Sequence, residues 1–284
     1  MGSDRRWATI NGKLFTDKMA SATTAETSHR CQRPRPLWLD ITLEIGILLV
    51  VYLVYSLSRG SLHAKAVTAF HHAREIMDIE NTLGIFVESR IQSFFLASSY
   101  RTHLANALYT VAYYPSLILF AFWAYWRHRD KYKSIRTAFV ISAVLAFGVF
   151  ALFPVAPPRF FDGNHNGAED LGFVDTLVTH WHMKDNVAQA FYNPYAAMPS
   201  CHFGWTLLVG IGIWWMTRSV WGKIFGLLLP VATFVGITST ANHFILDAVG
   251  GAVVTGVSLA CAAFLLNRAH NVRRANNVIP HDSA

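Results

Sequence analysis

Residues Phe244–Leu266 read FILDAVGGAVVTGVSLACAAFLL, a run of 23 residues whose one charged side chain, Asp247, stands near its start. A helix that crosses a bilayer needs about 20 mostly apolar residues, so this run is long enough to span. Five more stretches qualify, approximately Leu39–Leu57, Leu104–Trp126, Ile135–Phe153, Phe203–Thr217 and Val220–Ser239, with Phe203–Thr217 the shortest. The expected fold class is all-α: a polytopic membrane protein with six transmembrane helices in a bundle. Leu39–Leu57 is expected to be retained, because it begins far from Met1, exceeds a signal-peptide core and has no small-residue cleavage motif after it.

Composition agrees. Of 284 residues, 53% are hydrophobic and 14% charged, with a mean hydropathy of +0.30. A soluble domain carries about 25% charged residues, so disorder and an ordinary cytosolic enzyme are both excluded. Cys31, Cys201 and Cys261 are too few for a disulfide scaffold and form no C-x-x-C pair, which removes zinc-thiolate and thioredoxin-type chemistry. The net charge of +7 sits in short connectors, so no nucleic-acid partner is expected.

The distribution of Lys and Arg sets the orientation. Seven precede Leu39 and five lie between Arg127 and Arg136, whereas Pro154–Pro199 has only Arg159 and Lys184 against five acidic residues. Both termini are therefore expected in the cytoplasm and Pro154–Pro199 outside. The domain plan is a flexible cytoplasmic tail at 1–36, a six-helix membrane domain at 37–268 and a second cytoplasmic tail at 269–284. Within the membrane domain, 154–199 forms an outer loop. The segment 59–102 has Val67, Phe70, Ile76, Ile79, Leu83, Phe86 and Ile91 near helical spacing among charges, which predicts interfacial amphipathic helices broken at Asn81-Thr82 and Gly84. A hairpin that covers the bundle is preferred to a substrate gate, because periodic apolar faces usually mean packing.

Three polar clusters interrupt the apolar pattern. Pro154-Val155-Ala156-Pro157-Pro158-Arg159 closes the third span, Met198-Pro199-Ser200-Cys201-His202-Phe203-Gly204 opens the fourth and Asn242-His243-Phe244-Ile245-Leu246-Asp247 opens the sixth. All fall at the outer face. Ionisable residues are expensive in a membrane, so their coincidence at one depth on three helices points to a shared site. His243 and Asp247 stand four apart on one helix face, where the carboxylate can orient one imidazole nitrogen and leave the other as nucleophile or base. Ser200 suits a helix N-cap whose amides face an anion, and Arg159 offers a guanidinium fork for phosphate. A metal held by His202, His243 and Asp247 with His180 or His182 lacks any H-E-x-x-H pattern, so no metal or cofactor is expected. Cys201 reads as a packing residue.

The pairing of P-S-x-H at Pro199–His202 with H-x-x-x-D at His243–Asp247 resembles the type 2 phosphatidic acid phosphatase superfamily, in its inositol phosphorylceramide synthase-like branch. The likeness covers Leu152–Gly251. It implies that His243 is a nucleophile that becomes phosphorylated, Asp247 its orienting partner and His202 the acid that protonates the leaving oxygen. The phosphatase pattern K-x6-R-P and S-R-x5-H-x3-D is incomplete here: Leu152 stands seven residues before Arg159, and Gly236 and Ile237 occupy the Ser and Arg places. Lys184, Arg101 or a loop histidine could replace the missing charge. A cradle with fewer cations suits a singly charged phosphodiester better than a monoester.

The reading is thus a lipid phosphotransferase that moves a phosphoryl-alcohol headgroup from a phospholipid donor to an acceptor hydroxyl at the outer face. A lipid phosphate phosphatase is the nearest alternative. A transporter is the non-enzymatic one; it calls for ionisable groups near the bilayer midplane, where only Glu44 of the first span comes close, within two turns of the cytoplasmic end. Topology is directly testable. A cysteine placed at Gly167 should react with an impermeant thiol reagent in intact cells while one at Arg129 should not, and the reverse pattern would refute the orientation.

Overall fold

Every regular element among the described residues is a helix, apart from two isolated β-bridges, Val155 with Ala196 and Asp162 with Asp170. The structure is a computed structural model that describes residues 36–59, 66–165, 169–181 and 193–276. The tails before 36 and after 276, Cys31, His182 and Lys184 lie outside them. The chain divides into two units, Met1–Leu49 and Val50–Ala284. In the first, helix α1 (Leu37–Arg59) starts behind Pro36 with Asp40 in its first turn, where a carboxylate complements the helix dipole. This helix coincides with the first expected span.

The second unit carries the rest. Helices α2 (Ala66–Thr82) and α3 (Glu88–Leu96) lie where amphipathic helices were expected. The break falls at Thr82, and Gly84 takes the left-handed φ of 71° that turns the chain between them. Next, α4 (Ser99–Val111) and α5 (Tyr114–Arg127) divide the expected second span. Pro115 causes the division, because it has no N–H to continue the ladder yet fits the first turn of a new helix. Then follow α6 (Arg129–Leu152), a 3₁₀ turn at Pro158–Phe160, and α7 (Thr176–Trp181). The unit closes with α8 (Cys201–Met216), α9 (Val220–Ser239) and α10 (Ile245–Asn276).

Four helical segments among the described residues are long and apolar enough to cross a membrane: Ser99–Arg127, Arg129–Leu152, Val220–Ser239 and Ile245–Val272. They mark an integral membrane protein. The six expected spans are not all met on this criterion. At 1.5 Å per residue α8 measures about 24 Å, short of a hydrocarbon core of about 30 Å. Apolar side chains face outward, as Val249, Val253 and Val257 do at four-residue spacing on α10, which is the surface that hydrocarbon rather than water can cover.

The helices meet through glycine. A Cβ on Gly210 of α8 would stand 2.3 Å from the Gly226 carbonyl oxygen of α9, one on Gly251 of α10 would stand 2.5 Å from the Ser200 carbonyl oxygen, and one on Gly236 of α9 would stand 2.7 Å from the Tyr109 amide nitrogen of α4. Such backbone approach is how helices associate where no hydrophobic drive separates protein from lipid. At one end of this bundle Lys131 donates to the Trp215 carbonyl at 2.9 Å, and Lys223 lies 5.2 Å from the Trp214 ring centroid. At the other, the Arg159 amide meets the Ala241 carbonyl and the Ser200 amide meets that of Asp247.

These approaches predict a contrast. Gly210→Ala should destabilise the protein by about 1–3 kcal/mol, the scale of overpacking, because the clash is with backbone that cannot rotate away. Gly256→Ala, with nothing within 4 Å of its Cβ, should leave thermal unfolding in detergent unchanged or raise it. Equal effects would refute the packing role.

Candidate active site

The turn that ends α9 shapes the site. The Ala241 amide donates to the Thr238 carbonyl and the Asn242 amide to the Ile237 carbonyl, the paired pattern that closes a helix through a left-handed residue. Here that residue is Ala241, with φ 52°, where glycine is usual. The turn delivers Asn242 and His243 into the bundle ahead of α10.

His243 is held from one side. Its Nδ1 lies 2.8 Å from the Ala197 carbonyl oxygen and 3.4 Å from Asp247 Oδ2. Both neighbours accept, so Nδ1 carries the proton and Nε2 keeps its lone pair. Asp247 is fully buried, and its Oδ2 also accepts from the Phe244 amide at 2.9 Å, the backward reach of an acidic residue three places into a helix. His202 is stacked against Tyr109 with centroids 4.5 Å apart, lies 4.1 Å from the Tyr113 ring and 5.6 Å from that of His243. Its Nε2 is buried without a hydrogen-bond partner. A buried polar atom of this kind leaves one hydrogen bond to be made by a water or a bound molecule.

Arg159 joins two segments. Its Nε pairs with Asp175 Oδ2 at 2.9 Å, and an Nη donates to the Asn242 side-chain oxygen. Asn242 is fixed in turn, because its Nδ2 donates to Thr240 Oγ1 at 2.8 Å. Ser200 is the N-cap of α8 as expected, with its Oγ accepting from the Phe203 amide at 3.3 Å. The Ser200 amide itself is taken by the Asp247 carbonyl at 2.8 Å. All five sequence-identified residues, Arg159, Ser200, His202, His243 and Asp247, thus gather at one end of the bundle.

Of the candidate replacements for the missing cations, Lys184 lies outside the described residues, and the loop histidine His165 stacks on Phe160, the neighbour of Arg159, with centroids 4.5 Å apart. Arg101 stacks on Phe94 with its guanidinium carbon 4.2 Å from the ring centroid. Leu152 is 85% exposed, and Ile237 is fully buried in a cluster with Tyr109 and Ala248. Among the described residues no group of three His, Cys, Asp or Glu could hold a metal.

The outer helices contribute more than cover. Gln92 of α3 clasps the backbone of Val174, donating to its carbonyl and accepting from its amide, and Asn106 of α4 donates to the Thr176 carbonyl and accepts from the Thr176 hydroxyl. Between them they pin Asp175. Glu88 and Glu80 accept from the Ile245 and Leu246 amides at 2.9 and 2.7 Å. Sequence reasoning placed Asn242 in the third polar cluster but gave it no role, and it missed Asp175 and these four supports. Glu80 did leave a signal: with Ala69, Ala73, Ile76 and Met77 it falls on the buried stripe of α2.

A sequence model described as the PAP2 superfamily matches residues 74–261, about two thirds of the chain. The match includes every residue of the site. No curated protein and no solved structure matches significantly.

Arg159 is the joint on which the site depends. One ammonium cannot reach Asp175 and Asn242 together, so Arg159→Lys should lower thermal stability in detergent by about 1–3 kcal/mol, the scale of charge-assisted hydrogen bonds. An unchanged unfolding midpoint would show that the fork joins nothing.

Proposed function

The chain belongs to the PAP2 superfamily, and on that premise we propose that it moves a phosphoryl-alcohol headgroup from a phospholipid to an acceptor hydroxyl, as an inositol phosphorylceramide synthase-like member would. Membership makes it a membrane enzyme of phosphatase or phosphotransferase type. The histidine chemistry rests chiefly on one observation: His243 Nδ1 is tied to Ala197 and Asp247, so in the neutral ring the free lone pair is on Nε2.

In this reading Nε2 of His243 attacks phosphorus, the bond to the leaving oxygen breaks, and His202 Nε2 gives that oxygen its proton. His243 then holds the phosphoryl group. In the second half His202 takes the proton of the incoming hydroxyl, whose oxygen attacks phosphorus and expels His243. Arg159, with the Cys201 and His202 amides of the α8 first turn, would stabilise the charge on the phosphoryl oxygens. No metal or cofactor enters the scheme. The fold plan remains six spans with both termini cytoplasmic and the site outside, and the cationic, Trp-bearing end opposite the site supports it.

Transfer is preferred to hydrolysis on charge. Arg159 is the one cation of the described site, and Asp175 already pairs with it. A dianionic monoester would bring roughly one more negative charge than a diester into a partly desolvated cradle. A lipid phosphatase is the second reading, with the same residues.

A matched donor pair tests the reading. With phosphatidic acid and a headgroup-bearing phospholipid diester, the wild type should show the higher kcat/KM for the diester. His243→Ala should abolish the covalent intermediate, while His202→Ala should be partly rescued by a diester whose leaving alcohol has a low pKa. A preference for phosphatidic acid, with release of inorganic phosphate, promotes the phosphatase. Equal rescue of both variants contradicts the division of labour.

A further inference from the structure

The head of α10 is held by two carboxyls that the proposed chemistry does not use. Glu80 and Glu88 are both fully buried, and each spends one oxygen on a backbone amide, Leu246 for Glu80 and Ile245 for Glu88. Their second oxygens, Glu80 Oε2 and Glu88 Oε2, are buried and receive no N–H from the protein. They belong to carboxyls that grip consecutive amides of one turn and so stand side by side. Two carboxylates have only acceptors between them, so a hydrogen bond between them requires a proton on one. Burial first, and then the neighbouring Glu88 carboxyl, push Glu80 from 4.5 to about 9, partly opposed by the Leu246 amide.

We propose that Glu80 and Glu88 share one proton and act as a positioning pair: the joined carboxyls clamp the Ile245 and Leu246 amides, fix the first turn of α10 and so hold Asp247 behind His243. The inference rests on the proposed roles of His243 and Asp247. Loss of the shared proton would leave three negative charges, with Asp247, around one helix terminus, and the clamp would open. Besides Asp247, the ionisable groups on the elements packed around the pair are His243, Arg159, Asp162, His165 and Tyr195, with Arg90 on α3, Tyr100, Arg101, His103 and Tyr109 on α4, and His71, His72, Arg74, Glu75 and Asp78 on α2 itself. The nearest end of α9 brings none.

The sign follows from linkage. Between about 4.5 and about 9 the folded chain binds this proton and the unfolded chain does not, so stability from the pair is complete at low pH, declines as pH rises and is gone above the folded value. Glu80→Gln mimics the protonated partner, because its carbonyl can accept from Leu246 and its amide can donate to Glu88 at every pH.

The test uses full-length protein in detergent, comparing wild type, Glu80→Gln and Glu80→Ala for unfolding temperature and for kcat with a phospholipid diester donor from pH 6 to 10. The wild type should lose stability toward alkaline pH and lose kcat by about tenfold per unit once the proton is gone. Glu80→Ala should lose kcat at neutral pH, Glu80→Gln should restore it, and the Gln variant should flatten both alkaline declines. Superimposable profiles for wild type and Glu80→Gln overturn the proposal. A flattened stability profile with an unshifted kcat profile makes the pair structural and overturns its positioning role. If Glu80→Gln does not fold, Glu88→Gln carries the same test. If the wild type transfers and hydrolyses no lipid phosphate ester, the proposed function fails, and the unfolding profiles alone decide whether the proton is shared.

Discussion

Phe244, Ile245 and Leu246 present their amides at the head of α10, and each is met by a buried carboxyl, from Asp247, Glu88 and Glu80. The first amides of any helix have no partner within it, and leaving one buried and unmet costs about 1–3 kcal/mol. The solution draws on three separate helices. The terminus that carries Asp247 can therefore form only when α2 and α3 are in place, which makes the outer helices part of the site's construction.

A second constraint is distance between backbones. Ser200 and Asp247 share a backbone hydrogen bond because Gly204 and Gly251 let α8 and α10 close to contact, and Tyr109 reaches the His202 ring because Gly236 admits α4 against α9. Larger side chains at these crossings would hold the helices farther apart. The left-handed turn at Ala241 is of the same kind. It costs a non-glycine residue about 1–3 kcal/mol, and the return is that the Ala241 carbonyl meets the Arg159 amide while Asn242 reaches its side chain.

What the sequence made legible follows from where the signals live. Apolar length and helix caps are local, so α6, α9, α10 and the Ser200 cap could be read directly. Spacing of four along a helix put His243 and Asp247 together. The Pro115 break is equally local, but apolar flanks on both sides make it read as one continuous span. Asp175 lies within a long polar segment with no periodicity, and its partner Arg159 is sixteen residues away, so no pattern could pair them. Nor could any pattern reveal that Ala197 shares His243 Nδ1 with Asp247, because every residue has a carbonyl. Glu80 was different: a charged residue on an apolar stripe is costly unless it is satisfied. That cost was the readable sign that α2 covers something polar.

The charge balance at the site links these features. Two unit charges 4 Å apart interact by about 4 kcal/mol at an effective dielectric of 20, so a carboxylate paired with Arg159 removes much of what that cation can offer a phosphate. Asp247 stands behind His243 as a second acid. If the site is a phosphate cradle as proposed, one built this way would attract a phosphate weakly and could not rely on Coulomb forces for affinity. In the proposed transfer reaction the binding energy would come from the lipid's apolar chains against the outward-facing helices, and Arg159 would act less as an attractor than as a fixed donor whose direction Asp175 and Asn242 set. Gln92 and Asn106 gain a reason in turn: by pinning the backbone on either side of Asp175 they fix the partner that aims Arg159, just as Glu80 and Glu88 fix the helix that aims His243.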